Sequence, residues 1–231
     1  MGRTLASDKL KTEYGDQGLA SQLEQIREGT SMDSLISCDI CILEGTPEGR
    51  LGCEISLFEQ LKLLTDGSLI AAGPTFYKEA DIKQLSPRVH EALKSYVVPS
   101  CKTTKILPNF FIEIWPSCFH YRVGMRHSIY VGCMGARAMH VLQSYGKPDA
   151  NFDGNAYTIV GTYDKECLRL YSLGIHPTKL AESGSPVQYH MTRLASFVIQ
   201  SVETPRAAMT AYRNLVDWTN AMSSSQLQMK G

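Results

Sequence analysis

No stretch of the sequence approaches the roughly 20 consecutive apolar residues that would span a bilayer, and the N-terminus has no apolar run of signal-peptide length. A soluble intracellular protein, cytoplasmic or nuclear, with no membrane partner is therefore expected. Met1-Gly2 would suit N-myristoylation, but Ala6 stands where that signal needs Ser or Thr and Ser7 comes one residue late, so no lipid is expected. Excess charge is also missing: 23 basic residues balance 23 acidic ones, which removes any global electrostatic case for a nucleic-acid partner. There is no P-loop, dinucleotide fingerprint or nucleophile elbow. Internal repeats, heptad runs and low-complexity tracts are absent too.

Seven cysteines in a chain without an export signal indicate a reducing compartment and free thiols, because an odd number cannot all pair within one molecule. Cys38 and Cys41 form a C-x-x-C and Cys53 offers a third thiolate, but no second C-x-x-C or histidine pair follows at zinc-ligand spacing. On a strand Cys38 and Cys41 would face opposite sides, so thiols packing as small hydrophobes are expected. The six histidines, His90, His120, His127, His140, His176 and His190, show no metal spacing, and capping or packed roles are expected for His120 and His127. Tyr130, Tyr145, Tyr157 and Tyr163 have the chemistry to stack on bases but read as core and rim aromatics.

What is present is enough apolar residue, 43% of 231, to bury one substantial core. Residues 1–33 read as a polar helix or tail, 34–222 as a single domain and 223–231 as a polar tail. Within the domain, Leu35–Leu43 reads as a strand, Leu57–Leu64 as a helix closed by a turn at Asp66-Gly67, and Ser68–Ala72 as a short strand stopped by Gly73-Pro74. Ser86 as cap and Pro87 at the first helical position open a helix to about Tyr96. A strand at Asn109–Trp115 and a long helix at Arg122–Tyr145 follow, the helix stopped by Gly146 and Pro148. Ala156–Tyr163 and Cys167–Ile175 read as a hairpin. Val187–Val198 begins as a strand, with a second half equally compatible with helix, and Thr204-Pro205 opens a last helix with Ala208, Tyr212, Leu215 and Met222 on one side. The order of elements is mixed α and β.

Charge is uneven along the chain. Residues 1–70 carry 6 Lys/Arg against 12 Asp/Glu, whereas residues 101–145 carry Lys102, Lys105, Arg122, Arg126 and Arg137 against Glu113 alone. A solvated basic helix face and a phosphate-facing surface for nucleic acid both account for the second stretch. The acidic first third equally suits a protein-interaction module docking a basic partner.

Glu113 is the residue that demands a reason. The strand NFFIEIW puts Phe110, Ile112 and Ile114 on one face and Phe111, Glu113 and Trp115 on the other, so Glu113 is a lone carboxylate on a buried central strand. Such a group costs several kcal/mol unless it is paired, protonated or bound to metal. Metal-dependent phosphodiester hydrolysis supplies one reason, since carboxylates hold Mg²⁺, a lysine positions or deprotonates the attacking water, and the metal neutralises developing charge.

From Gly73 to Thr219 the chain resembles a fungal domain family with a PD-(D/E)XK, restriction-endonuclease-like fold. The resemblance rests on PNFFIEIW, RHSIYVGCMGARAMHVLQSYG, DGNAYTIVGTY, QYHMTRL and AYRNLVDW in that order. It implies a mixed β-sheet flanked by helices, with the site on two adjacent strands. The family pattern has an Asp after a Pro on the earlier strand and Glu-x-Lys-Gly on the later one. Here Gly73-Pro74-Thr75 puts Thr75 at the Asp position, and Glu113-Ile114-Trp115-Pro116 keeps the Glu while Trp115 replaces the lysine. A Gln that often begins the next helix in this fold is replaced by His127.

The resemblance thus implies a degenerate site, with Glu113 as its remnant. One carboxylate makes a poor Mg²⁺ site, and loss of the general base commonly removes a further factor of roughly 10²–10⁴. A non-catalytic binding or structural module without a cofactor is expected, its ligand and partner unspecified. The alternative is a metal-dependent nuclease with relocated residues, in which Glu113 would help hold Mg²⁺ with acidic groups from elsewhere, Glu79 and Asp81 being the nearest in sequence. If Glu113 is a relic, a local partner such as Arg126 or His127 should neutralise it.

Overall fold

The computed structural model describes residue 43 and residues 57–65, 73–101, 103–115, 121–149, 152–164, 166–178, 187–199 and 203–230. Strand β1 is Phe76–Asp81, followed by a short 3-10 turn at Ile82–Gln84 and helix α1 at Pro87–Val97. Strand β2 is Lys105–Ile114, helix α2 Tyr121–Ser144, strands β3, β4 and β5 Ala156–Tyr163, Cys167–Pro177 and Val187–Val198, and helix α3 Glu203–Gln228. The strands form one five-stranded sheet in the order β1-β2-β3-β4-β5. Only β2 and β3 run parallel. A parallel pair needs a crossover, and α2 supplies it.

Strand β2 is buried at every residue after Lys105, as its apolar character on both faces predicts. On one face Phe111, Val160, Leu173 and Ile175 join Val131, Met134, Ala138 and Leu142 of α2 and Val89, Leu93 and Val97 of α1. On the other, Phe110, Ile112, Ile159, Leu168 and Leu170 pack on Ala208, Met209 and Tyr212 of α3. Phe110 and Tyr212 meet edge to face with centroids 5.1 Å apart, the arrangement that aromatic quadrupoles favour. Helix α2 approaches the sheet through glycines one turn apart: a Cβ at Gly132 would lie 2.6 Å from Val160 Cγ2, and one at Gly135 2.5 Å from the Pro108 carbonyl.

Several expectations change. Leu57–Leu64 is not helical; it is an irregular segment that inserts Phe58 and Leu61 into the core and ties its backbone to Pro99 and Ser95. Its apolar spacing reflects two core plugs, not a helix face. Strand β1 was not expected, because FYKEAD is half-buried throughout and shows no alternation. Strand β2 begins four residues before Asn109, where Leu107 takes φ +57°, so that Ile106 and Leu107 both reach the core. Val187–Val198 is strand throughout. Ser86 takes the N-cap position, yet its hydroxyl donates to the Lys230 carbonyl instead of capping.

Residues 223–228, expected as part of a polar tail, continue α3 and bury Leu227. Asn109 Nδ2 anchors this end by donating to the Thr219 carbonyl at 3.1 Å and to Ser223 Oγ at 2.8 Å. Of the expected strand Leu35–Leu43 only Leu43 is described, and it is helical and buried. The expected strand Ser68–Ala72, the turn at Asp66-Gly67 and the N-terminal tail lie outside the described residues, as do Cys38, Cys41, Cys53, Lys102 and His120. No described helix is long and apolar enough to cross a membrane.

Candidate functional site

The antiparallel register of β1 and β2 pairs Phe76 with Ile112, which brings Thr75, one residue earlier, opposite Glu113. Strand alternation turns Glu113 toward α2, on the face that carries Phe111. Its side chain is 1% exposed, so its charge needs partners. Two come from Thr75: the hydroxyl donates to Glu113 Oε2 at 3.0 Å, and the Thr75 backbone N–H donates to the same oxygen at 3.4 Å. The Thr75 hydroxyl also accepts the Ile114 N–H at 3.4 Å, which fixes its orientation.

The other carboxylate oxygen faces the first part of α2. His127 Nδ1 stands 3.4 Å from Glu113 Oε1, close enough for an ion pair, although neither atom has an aligned hydrogen-bond partner among the described residues. The Glu113 carboxylate raises the His127 pKa above the ordinary imidazole range, and this outweighs the opposing effect of burial. Trp115 closes the site. Its ring meets His127 edge to face with centroids 5.9 Å apart. It also packs over Gly124, where a Cβ would sit 2.8 Å from the indole. Gly124 is thus required by close approach, in the first turn of the helix that carries His127.

Four of the residues singled out in the sequence, Thr75, Glu113, Trp115 and His127, therefore come together. The basic residues do not gather there as a group. Arg122 and Arg126 are exposed on the same end of α2, and His127, not Arg126, is the neighbour of Glu113. Lys105 lies at the far end of β2, roughly 26 Å along the strand by ordinary rise, with Asp81 Oδ2 at 3.9 Å. Arg137 is structural: it donates to the carbonyls of Lys62 and Leu63 and lies over the Tyr96 ring.

Neither acidic alternative reaches Glu113. Asp81 caps the 3-10 turn and faces Lys105. Glu79 sits at the β1–β2 irregularity, four residues along the strand from Thr75 and so roughly 13 Å away. Among the described residues no group of three or more His, Cys, Asp or Glu is placed to hold a metal ion.

Composition gave no hint of a second polar cluster. Asp153 Oδ2 accepts from Gln143 Nε2 at 2.8 Å, and Oδ1 accepts from Tyr157 OH at 2.9 Å and from the Asn155 N–H at 3.0 Å. Partial burial raises the Asp153 pKa, but these donors prevail and hold it at about 2. His140 stacks on Phe152 beside this network, with centroids 4.8 Å apart. The cluster fastens the α2–β3 connection. Tyr157 and Tyr163 are buried, and Tyr130 and Tyr145 half-buried, as core and rim aromatics should be.

Comparison with known proteins finds no matching family model, no match among curated proteins and none among solved structures.

Proposed function

We propose that this chain is a diverged, non-catalytic relative of the PD-(D/E)XK nuclease-like fold that serves as a binding or structural module. The reading is carried by one observation: Thr75 spends its hydroxyl and its N–H on the Glu113 carboxylate that a nuclease would offer to a metal. It is supported by a mixed sheet with helices on both faces and by the placement of Thr75 and Glu113 on adjacent chain segments.

The chemistry follows from donor and acceptor roles. An Asp at position 75 would give Glu113 a second carboxylate, and the two negative charges would need a cation between them. A threonine reverses this by donating a hydrogen bond, so the buried charge is stabilised without a metal. Trp115 offers only an indole N–H and has no group to take a proton from water. His127 Nδ1 faces the second oxygen at 3.4 Å, and the Glu113 carboxylate raises the His127 pKa, which favours the imidazolium form beside that oxygen.

The test is incubation of the full chain with Mg²⁺ or Mn²⁺ and with double- and single-stranded DNA and RNA. No cleavage above the metal-only control is expected. Metal-dependent cleavage that disappears in the Glu113→Ala variant would overturn the reading in favour of a nuclease with relocated ligands.

A further inference from the structure

His176 and His190 lie outside the Glu113 site, on neighbouring strands at one end of the sheet. The β4–β5 register pairs Gly174 with His190 and His176 with Gln188. Directly opposed residues, and residues two apart on one strand, share a face. The two imidazoles therefore project from the same side of the sheet, diagonally across the strand pair. Their ring centroids are 4.6 Å apart with an interplanar angle of 75°. His190 is exposed and His176 half-buried, so solvent reaches the pair.

The position between them is a glycine, and the space its missing side chain leaves is used. A Cβ on Gly174 would lie 2.9 Å from the Asn155 backbone oxygen and 3.8 Å from His176 Nε2. A carbonyl oxygen and an imidazole nitrogen thus lean over the same glycine, directly opposite the residue that bears the second imidazole. Neutral imidazoles and a carbonyl are the donors that suit a borderline divalent transition metal, whereas Mg²⁺ and Ca²⁺ prefer all-oxygen sets.

We propose that His176 and His190, with the Asn155 carbonyl as third donor, form a binding site for a divalent transition-metal ion of the zinc, nickel and copper group. Metal–nitrogen bonds of about 2.0–2.1 Å place two chelating ring nitrogens about 3 Å apart. Rotation of the exposed His190 side chain supplies that approach from the observed ring spacing. Three protein donors leave the remaining coordination positions to water. The site is independent of Glu113 and of the proposed loss of nuclease chemistry.

Titration of the full chain with Ni²⁺ at about pH 8, above the ordinary imidazole range, followed by calorimetry and by amide NMR, tests this. One equivalent of Ni²⁺ is expected to broaden the signals around Asn155, Gly174, His176 and His190 first. His176→Ala and His190→Gln should each weaken binding by about tenfold or more, as expected for loss of one of two imidazole ligands. His90→Ala, on α1, should leave it unchanged. Conserved amide spectra of the variants without metal establish that the fold is intact. Broadening centred elsewhere, or affinity that neither β-strand substitution alters, would overturn the site and leave the two rings as a packing contact only.

Discussion

Thr75 Oγ1 lies 3.0 Å from Glu113 Oε2 and at the same time accepts the Ile114 N–H at 3.4 Å. One hydroxyl thereby satisfies a buried carboxylate and a strand amide across the β1–β2 boundary. Thr75→Val keeps the shape and removes the donor. It should lower unfolding stability by about 1–2 kcal/mol, the cost of losing the buried hydrogen bonds made by that hydroxyl while the backbone N–H of residue 75 still reaches the carboxylate, measured as a drop in urea midpoint at unchanged slope. Wild-type stability in this variant would contradict the role given to the hydroxyl.

His127 stands against the same carboxylate, which fixes the sign of its pH dependence. Contact with Glu113 raises the folded-state pKa, with burial opposing, so folded His127 holds its proton more tightly than the unfolded chain does. The stabilisation is fully present below the unfolded value of about 6.5 and is lost as pH rises through the folded value. Imidazole NMR should therefore show His127 titrating above the ordinary range and shifting downward in Glu113→Gln. The stability difference between wild type and His127→Asn should shrink over the same alkaline rise.

Glu79 has the same sign of pH dependence but the opposite cause. Burial pushes its carboxyl up to about 7, against the lowering effects of Lys105 and the Tyr77 hydroxyl. Its protonated form is the one the fold favours, so its contribution is present below the unfolded value and is lost as pH rises through about 7. Glu79→Gln should raise the melting temperature at about pH 8 and have little effect near pH 4, on the ordinary carboxyl scale. Equal effects at both values would contradict this assignment.

Arg137 holds an irregular segment to the core by donating to the Lys62 and Leu63 carbonyls while lying over Tyr96. A lysine keeps the charge but loses the planar fork. Arg137→Lys should cost about 1–3 kcal/mol and speed amide exchange in residues 57–65 ahead of the sheet. Uniform protection in the variant would place the segment's stability elsewhere.

The parts of the fold that were legible in the sequence are those whose side chains announce one periodicity. The apolar runs of β3 and β4, the Asn109–Ile114 part of β2 and the glycine- and proline-bounded α2 fall where patterning puts them. Strand β1 was hidden because its residues are all half-buried, and the 57–65 segment misled because Phe58 and Leu61 sit one helical turn apart without a helix. The end of α3 was hidden by composition: three serines and two glutamines look solvated, yet Ser223 serves the buried Asn109 and Leu227 closes the core.

For the site, a lone acid on an apolar strand was visible from alternation alone, and so was its need for a neutralising neighbour. The choice of His127 over Arg126 was not, because it depends on the rotation of α2 set by Gly124 beneath Trp115. The Asp153 cluster and the His176–His190 pair were invisible in the sequence, since register and loop geometry create them.

The central claim, that Thr75 and Trp115 replace a metal-holding acid and a base beside Glu113, is tested most directly by restoring both. Mn²⁺ binding and DNA cleavage are to be measured for wild type, for Glu113→Ala, for Thr75→Asp/Trp115→Lys, and for the same double variant carrying Glu113→Ala. To keep the count specific, each is made in a His176→Ala background, and wild type here denotes that background with no other change. The account predicts no Mn²⁺ binding by wild type at this site and binding by the double variant that Glu113→Ala abolishes. Wild-type binding or cleavage that depends on Glu113, or a double variant that folds and binds nothing, would contradict it.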